Sequence, residues 1–333
     1  MPDASLGILV FIVVLAIGFG VVNGFNDAAN AIAASIGSRA LSPRNAIILA
    51  AFCNMGGAIT GTAVAITIGK GILAPEAISY LTVIAGLAAV IIWGTVATYL
   101  GLPVSITHSF IAGLAAAGIS VAGSEVIQWG VMQRVLSSVV AAPVLGFAGG
   151  FVLMIILFWL FRRSAPASMR VIFSRLQWLT TAFLAYSHGK NDGQMPIGVI
   201  TMALVIYTGE TSLWDNIPWW VIIVSALAIS SGTTVGGWRV IKTMGMKVAT
   251  LRPIHGFATQ FSAATVIEVA SHLGIPVSTT HCASAAVMGV GATRRLSAVR
   301  WGVAGNIIAA WILTFPICGV LGYLFALLLK PIL

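Results

Sequence analysis

Charged residues are scarce in this sequence. Only 8% of its 333 residues are Asp, Glu, Lys or Arg, against about 25% in an ordinary soluble domain, and this scarcity excludes a water-soluble protein. A membrane-spanning helix needs about 20 mostly apolar residues, so the chain has room for on the order of ten crossings. We therefore predict an all-α integral membrane protein, in the size range of a transporter or channel.

Acidic residues and cysteines are also scarce. Eight Asp and Glu stand against 17 Lys and Arg, which gives a formal net charge of +9. In a membrane protein this excess is expected on cytoplasmic loops, so we predict a lipid bilayer around the chain and no nucleic-acid partner. Cys53, Cys282 and Cys318 lack the spacing of a metal site and are predicted to be packing residues. Walker loops, nucleophile elbows and zinc motifs are absent, so an enzyme is not expected.

The sequence contains an internal repeat. GFNDAANA at 24–31 resembles HGKNDGQM at 188–195, and LPVSITHS at 102–109 resembles IPVSTTHC at 275–282. These landmarks recur in the same order and at a nearly constant spacing, which makes chance similarity improbable. We predict three parts: a first repeat at 1–161, a basic cytoplasmic linker with four arginines at 162–175, and a second repeat at 176–333.

Loop charges predict the orientation of the two units. The loop with Arg39 and Arg44 corresponds to one that contains Glu210 and Asp215 and no base. Because basic residues accumulate on cytoplasmic loops, this reversal predicts two inverted-topology repeats of about five net crossings each. Both termini are then expected outside the cell inner (plasma) membrane.

Two segments fit a simple crossing poorly. Residues 101–120 are only about one span long and contain a proline near their start, and residues 132–161 are overlong and contain Pro143. We expect a broken helix or a re-entrant hairpin at the membrane midplane in these segments. The sequence leaves both forms open.

Asp27 and Asp192 occupy equivalent positions of the two units. A carboxylate at the centre of a membrane helix costs about 2.5–3.5 kcal/mol on insertion scales, so such residues are usually functional. The alternatives are that each Asp only binds backbone amides at a helix break, or that Lys190 neutralises Asp192. The predicted ligands of a coupling cation are Asn26, Asp27, Asn30, Asn191 and Asp192.

A proline followed by hydroxyl residues occurs at 103–108 and again at 276–281. Proline at the first helical position indicates a helix N-terminus, where free N–H groups and the helix dipole attract anions. Two such termini meeting from opposite sides would bind an oxyanion; the alternative is ordinary helix capping. The predicted anion ligands are Ser105, Thr107, Ser278, Thr279 and Thr280, with His108, His281 and Gln194 as candidates for supporting contacts.

Two further patterns have plainer interpretations. Glu268 and His272 lie four residues apart on a predicted helix, so we expect them to pair with each other, with a proton relay as the alternative. The GxxxG patterns at 57–61 and 232–236 predict close helix packing.

The four motifs GFNDAANA, HGKNDGQM, LPVSITHS and IPVSTTHC resemble the duplicated signatures of the inorganic phosphate transporter family, and the resemblance covers nearly the whole chain. It implies inorganic phosphate as substrate, coupling to Na⁺ or H⁺, and an inverted-repeat homodimer. Met195 stands where sodium-coupled relatives have the asparagine that Asn30 supplies in the first unit. Asn54 and Gln260 stand where glutamates are expected in the animal sodium-coupled branch.

These departures favour H⁺ over Na⁺ as the coupling ion. A sodium site at Asp27, Asn30 and Asp192 stays open, as does phosphate carried as a complex with a divalent metal, and no cofactor is expected. The sequence thus predicts a secondary active phosphate symporter. A sulfate permease is less favoured because sulfate holds no proton to donate to carboxylates. A passive anion channel would not need two buried carboxylates, and an enzyme would need one asymmetric set of catalytic residues.

Overall fold

The computed structural model describes residues 5–332, and α-helices make up most of that range. Two isolated β-bridges, Leu73–Ile127 and Ala249–Val299, are the only β pairing in the described part. The helices in chain order are α1 Leu6–Asn26, α2 Ala28–Gly37, α3 Pro43–Ile59, α4 Ala63–Gly71, α5 Tyr80–Leu100, α6 Ile106–Ala122, α7 Trp129–Leu160, α8 Pro166–Asp192, α9 Gln194–Thr208, α10 Trp219–Val235, α11 Trp238–Lys242, α12 Pro253–His272, α13 Thr279–Ala292 and α14 Trp301–Leu329.

The helices confirm the prediction of an all-α membrane protein. Within residues 5–332, the segments long and apolar enough to cross a bilayer are Leu6–Gly37, α5, α7 and α14. Two further pairs pass the same test together but bend at a short break: α3 with α4 by 65°, and α10 with α11 and the π-helical turn Thr243–Lys247 by 62°. Length and composition thus give four to six crossings, and about five per unit stays a prediction.

The structure places the helix breaks differently from the sequence analysis. Residues 132–161 were expected to be broken or re-entrant, and this is wrong, because α7 runs through Pro143 as one helix. A proline removes one backbone hydrogen bond, and the turns on both sides of it persist. In residues 101–120 the chain is non-helical at 102–105 and α6 follows. The sharp bends lie instead between α3 and α4 and between α10 and α11.

The same order of helices occurs twice along the chain. α1 packs on α5 as α8 packs on α12, and α6 packs on α14 as α13 packs on α7. The two bent pairs, α3–α4 and α10–α11, also correspond. α8 begins at Pro166, inside the predicted linker. This order supports the internal repeat, whose boundaries and inverted orientation stay predictions.

Glycines let the central helices touch backbone to backbone. A Cβ added to Gly57 or Gly189 would lie 2.0 or 2.1 Å from a carbonyl oxygen of the facing helix, α8 or α3. A Cβ on Gly24 or Gly232 would lie 2.2 or 2.1 Å from a carbonyl oxygen of α10 or α1. Such separations are closer than any side chain allows, so these crossings require glycine. They hold α1 and α8, the helices that end at the two acidic motifs, against α10 and α3.

Candidate functional site

Asp27 and Asp192 lie at the two helix junctions of the core. Asp27 separates α1 from α2, and Asp192 is the last residue of α8, separated from the start of α9 by Gly193. Both side chains are buried, at 1% and 0% exposure. One carboxylate oxygen of each and one ring nitrogen of His188 all lie within 4.8 Å of one another. The two acidic motifs therefore form a single site.

Asp27 accepts hydrogen bonds from the N-termini of both hydroxyl-bearing helices. The Thr280 hydroxyl, in the first turn of α13, donates to Oδ1. The backbone N–H of Ile106, the first residue of α6, donates to Oδ2 at 3.4 Å. A carboxylate suits these positions because the N–H groups of a helix N-terminus are otherwise unpaired.

Asp192 is held by more groups than Asp27. The Thr107 hydroxyl lies 3.1 Å from its Oδ1, and the Thr279 hydroxyl donates to its Oδ2 at 2.7 Å. His188, one turn earlier on α8, places Nε2 3.0 Å from Oδ2. The threonines come from α6 and α13, so both predicted anion-binding motifs contact this carboxylate.

Asn26 and Asn191 bind the carboxylates that follow them. Nδ2 of Asn191 lies 2.8 Å from Asp192 Oδ1 and 2.8 Å from the carbonyl oxygen of Val277. When the Asn26 side-chain oxygen faces the Thr98 hydroxyl, its Nδ2 donates to Asp27 Oδ1 at 3.1 Å and to the carbonyl oxygen of Val104 at 3.3 Å. The extended segments before α6 and α13 are thereby fixed to the acidic motifs.

The contacts of the two carboxylates are reciprocal. Asp27 takes a hydroxyl donor from the second half, Thr280, and its counterpart takes one from the first half, Thr107. A different type of residue contacts each of these two hydroxyls. Asn30 donates to the Thr280 oxygen at 2.7 Å, whereas the sulfur of Met195 lies 3.2 Å from the Thr107 hydroxyl. The second half thus offers a thioether where the first offers an amide.

The two serines of the hydroxyl motifs cap their helices. The backbone N–H of His108 donates to Ser105 Oγ at 3.2 Å, and the N–H of His281 donates to Ser278 Oγ at 3.0 Å. This is the N-cap geometry that the sequence analysis gave as the alternative to anion binding. The threonines of the motifs, in contrast, point their hydroxyls at the carboxylates.

His108 and His281 lie directly against each other. Their ring centroids are 5.1 Å apart in an edge-to-face arrangement. His108 also stacks on Phe315, and His281 stacks on Trp311 at 4.2 Å. Both imidazoles are buried at 0–1% exposure, so each occupies an aromatic pocket on α14 beside the acidic site.

A polar network behind Asp192 was missed by the sequence analysis. The Nδ1 atom of His188 lies 2.8 Å from Oδ1 of Asn54, whose amide donates to the Thr233 hydroxyl at 2.9 Å. All three side chains are buried. The signal was in the HGKND motif, because residues four apart on a helix share a face. His188 therefore had to lie beside Asp192.

Lys190 and Glu268 pair with each other across α8 and α12. The expectation that Glu268 pairs with His272 is wrong: His272 is exposed, and Lys190 reaches Glu268 from another helix. Neutralisation of Asp192 by Lys190, the second alternative, does not fit this pairing. The carboxylates at the centre are thus left with His188 as their neighbouring basic group.

Gln194 and Gln260 lie away from the carboxylates. The Gln194 side-chain oxygen accepts the backbone N–H groups of Val64 and Ala65, so it caps α4. The Oε1 atom of Gln260, on α12, accepts a hydrogen bond of 3.3 Å from Nε2 of Gln177, on α8. Gln194 thus joins the start of α9 to the start of α4, and no hydrogen bond links it to either carboxylate in the described part of the chain.

The chemistry of the site follows from its charges. Two unit negative charges 4.8 Å apart repel by about 3–4 kcal/mol at an effective dielectric constant of 20. Neither carboxylate faces a Lys or Arg in the described part of the chain. A proton or a cation bound between the two carboxylates would relieve this repulsion, and the hydroxyls that now donate to them are the neighbouring donors.

Comparison with known proteins gives a consistent result. The "Probable low-affinity inorganic phosphate transporter" of Bacillus subtilis (strain 168) is 39% identical over 96% of this chain and 96% of its own length. The protein of the same description from Rhizobium meliloti (strain 1021) is 39% identical over 94% of this chain and 95% of its own length.

A solved structure described as "The sodium-dependent phosphate transporter" matches the fold with a TM-score of 0.91. It is 28% identical in sequence, and the match covers 98% of this chain and 100% of that one. The sequence profile of the phosphate transporter family matches twice, over residues 23–171 and 162–322. The chain is therefore a multi-pass membrane protein and a transporter rather than an enzyme, and it belongs to the phosphate transporter family.

Proposed function

We propose that this chain is a secondary active symporter that takes up inorganic phosphate together with a cation. The observation that carries the proposal is the burial of Asp27 and Asp192 in one site with the hydroxyls of Thr107, Thr279 and Thr280. Phosphate that keeps a proton can donate to a carboxylate and accept from the hydroxyls, whereas sulfate can only accept. The names of the relatives likewise support phosphate over sulfate.

We propose the proton, in preference to Na⁺, as the coupling ion. The equivalent of Asn30 in the second half is Met195, and a thioether is a poor ligand for a hard cation. A proton needs no ligand shell, only a carboxylate that accepts it while buried. Proton binding at Asp27 or Asp192 would remove one of the two charges before the anion enters.

Sodium is the second candidate, on a specific observation. Asp27 and Thr280 bring two oxygen atoms together, and the Asn30 amide beside them carries an Oδ1 atom that is buried without a hydrogen-bond partner. Oxygen ligands of this kind suit Na⁺, and a related structure is described as sodium-dependent. A divalent metal carried with phosphate would find Asp27, His188 and Asp192 within 4.8 Å of one another.

Uptake into proteoliposomes tests the proposal. The purified chain is reconstituted, and labelled phosphate is supplied with a proton gradient, a sodium gradient or neither. Accumulation above equilibrium with the proton gradient alone is expected. Equal flux in all three conditions would mean a passive channel, accumulation with sodium alone would replace the proton, and competition by sulfate as strong as by phosphate would contradict the substrate.

We also propose the predicted orientation, with both termini outside the inner membrane and the chain assembled as a homodimer. The contrast between Arg39 and Asp215 at equivalent loops supports the orientation, by the positive-inside bias. Single cysteines at these two positions, in a background without the native cysteines, should react with impermeant thiol reagents from opposite faces. Labelling of both from one face would mean parallel repeats. Cross-linking in the bilayer tests the dimer.

A further inference from the structure

A basic cavity lies far from the acidic site, where the loop between α13 and α14 meets the start of α12. Its volume is about 570 Å³, and three arginines, Arg294, Arg295 and Arg300, form part of its wall. The other lining residues among those described include His255 and two hydroxyl residues, and none is acidic. We call this space the arginine cavity.

The charge of the arginine cavity is not neutralised by protein groups. Within residues 5–332 the ion pairs are His188 with Asp192 and Lys190 with Glu268, so no arginine of the cavity faces a carboxylate. A group of three such charges around one space attracts anions.

The positions of two lining residues are fixed. Nη1 of Arg300 donates to the carbonyl oxygens of Met246 and Lys247 at 3.0 and 3.2 Å, which leaves its other N–H groups free. His255 is only 4% exposed, and its Nδ1 accepts the backbone N–H of Arg252. Its Nε2 therefore carries the hydrogen and is a donor. Arg300 thus presents donors in a set geometry.

The fold does not require these arginines. The equivalent loop of the first half forms the same bridge, Leu73–Ile127 instead of Ala249–Val299. Residues 119–128 nevertheless contain no base and one acid, Glu125. The same local backbone is therefore made without arginines, so the fold itself does not account for the basic lining.

We propose that the arginine cavity binds a phosphate-bearing anion at a site separate from the Asp27–Asp192 site. The guanidinium group forms paired hydrogen bonds with phosphate oxygens, and three such groups around one opening match a phosphate group. The anion is either free inorganic phosphate or the headgroup of an acidic phospholipid. α13 joins the two sites: its first turn holds Thr279 and Thr280, and its other end, about 20 Å away, borders the cavity.

The test compares R294Q/R295Q with the control R162Q/R163Q, in the full chain. Each variant removes two exposed arginines, and only the first pair lines the cavity. Arg300 keeps its backbone bonds in both, and thermal unfolding of each purified variant reports folding. R300Q serves as a second cavity variant.

The first arm measures equilibrium binding of labelled inorganic phosphate in phosphatidylcholine nanodiscs. The second measures how much phosphatidylglycerol the chain retains from mixed phosphatidylglycerol and phosphatidylcholine membranes. If the ligand is free phosphate, we expect R294Q/R295Q to bind labelled phosphate at one site about tenfold or more weakly than the control. If the ligand is a lipid headgroup, we expect the variant to lose its preference for phosphatidylglycerol. If both cavity variants match the control in both arms, the arginines only orient the chain, and the proposal is wrong.

Discussion

Replacement of Thr280 by valine removes one hydroxyl from the centre of the acidic site while keeping the branched shape of the side chain. That hydroxyl donates to Asp27 and accepts from the Asn30 amide at 2.7 Å. The variant therefore leaves a buried carboxylate oxygen and a buried amide donor without these partners. Such groups are costly because no water reaches them to replace the lost bond.

The size of the effect follows from the contacts. A hydrogen bond to a charged group contributes about 1.5–3 kcal/mol to stability, so we expect T280V to lower the free energy of unfolding by about that amount. The equivalent variant T107V should lose less. Its carboxylate, Asp192, keeps bonds or contacts from Thr279, from the neighbouring asparagine and from His188.

Equilibrium unfolding of the purified variants in detergent measures this difference. T201V is the matched control, because Thr201 is equally buried and its hydroxyl bonds only the Ile197 carbonyl of its own helix. A loss of stability in T280V no larger than that in T201V would refute the reasoning. So would an equal loss in T107V and T280V, because the reciprocal sites would then be energetically equivalent.

Three further variants test other parts of the structure. D27N and D192N should each abolish concentrative uptake in proteoliposomes without preventing insertion, since an amide keeps the volume but cannot take up a compensating cation; accumulation at the wild-type level would remove that residue from the mechanism. M195N supplies an oxygen ligand to the second half and should raise the stimulation of uptake by sodium, and an unchanged sodium response would contradict the role given to Met195. G189A places a Cβ 2.1 Å from an α3 carbonyl oxygen and should lower stability by about 1–3 kcal/mol or more, whereas G130A, which meets nothing within 4 Å, should not.

The shared site of Asp27 and Asp192 was predictable because its motifs occur twice in the sequence. An acid repeated in an apolar setting, and a hydroxyl motif repeated in the same order, left few arrangements other than one shared site for Asp27 and Asp192. The pairing of Glu268 was not predictable, since its partner Lys190 lies 78 positions away on a helix whose rotation depends on packing. The bend after Ile59 was also missed, because residues 45–69 contain no charged residue that would indicate a break.

The proline at position 143 gave a wrong prediction of a helix break. A proline in an overlong segment indicated a break, yet the helix continues, because the turns on either side keep their own hydrogen bonds and the chain packs along α13. The break between α3 and α4 has no proline at all. Its cause is tertiary: Gln194 of α9 binds the N-terminal N–H groups of α4 and so fixes a new helix start there.

Each half donates a threonine hydroxyl to the carboxylate of the other half, and the residues next to these two hydroxyls can differ. A symmetric pair of identical subunits would carry the same residue at both positions beyond the hydroxyls. One continuous chain can hold Asn30 at one and Met195 at the other. The two carboxylates therefore have different surroundings within one chain, and a substitution beside one of them can change its affinity for a proton without changing the other.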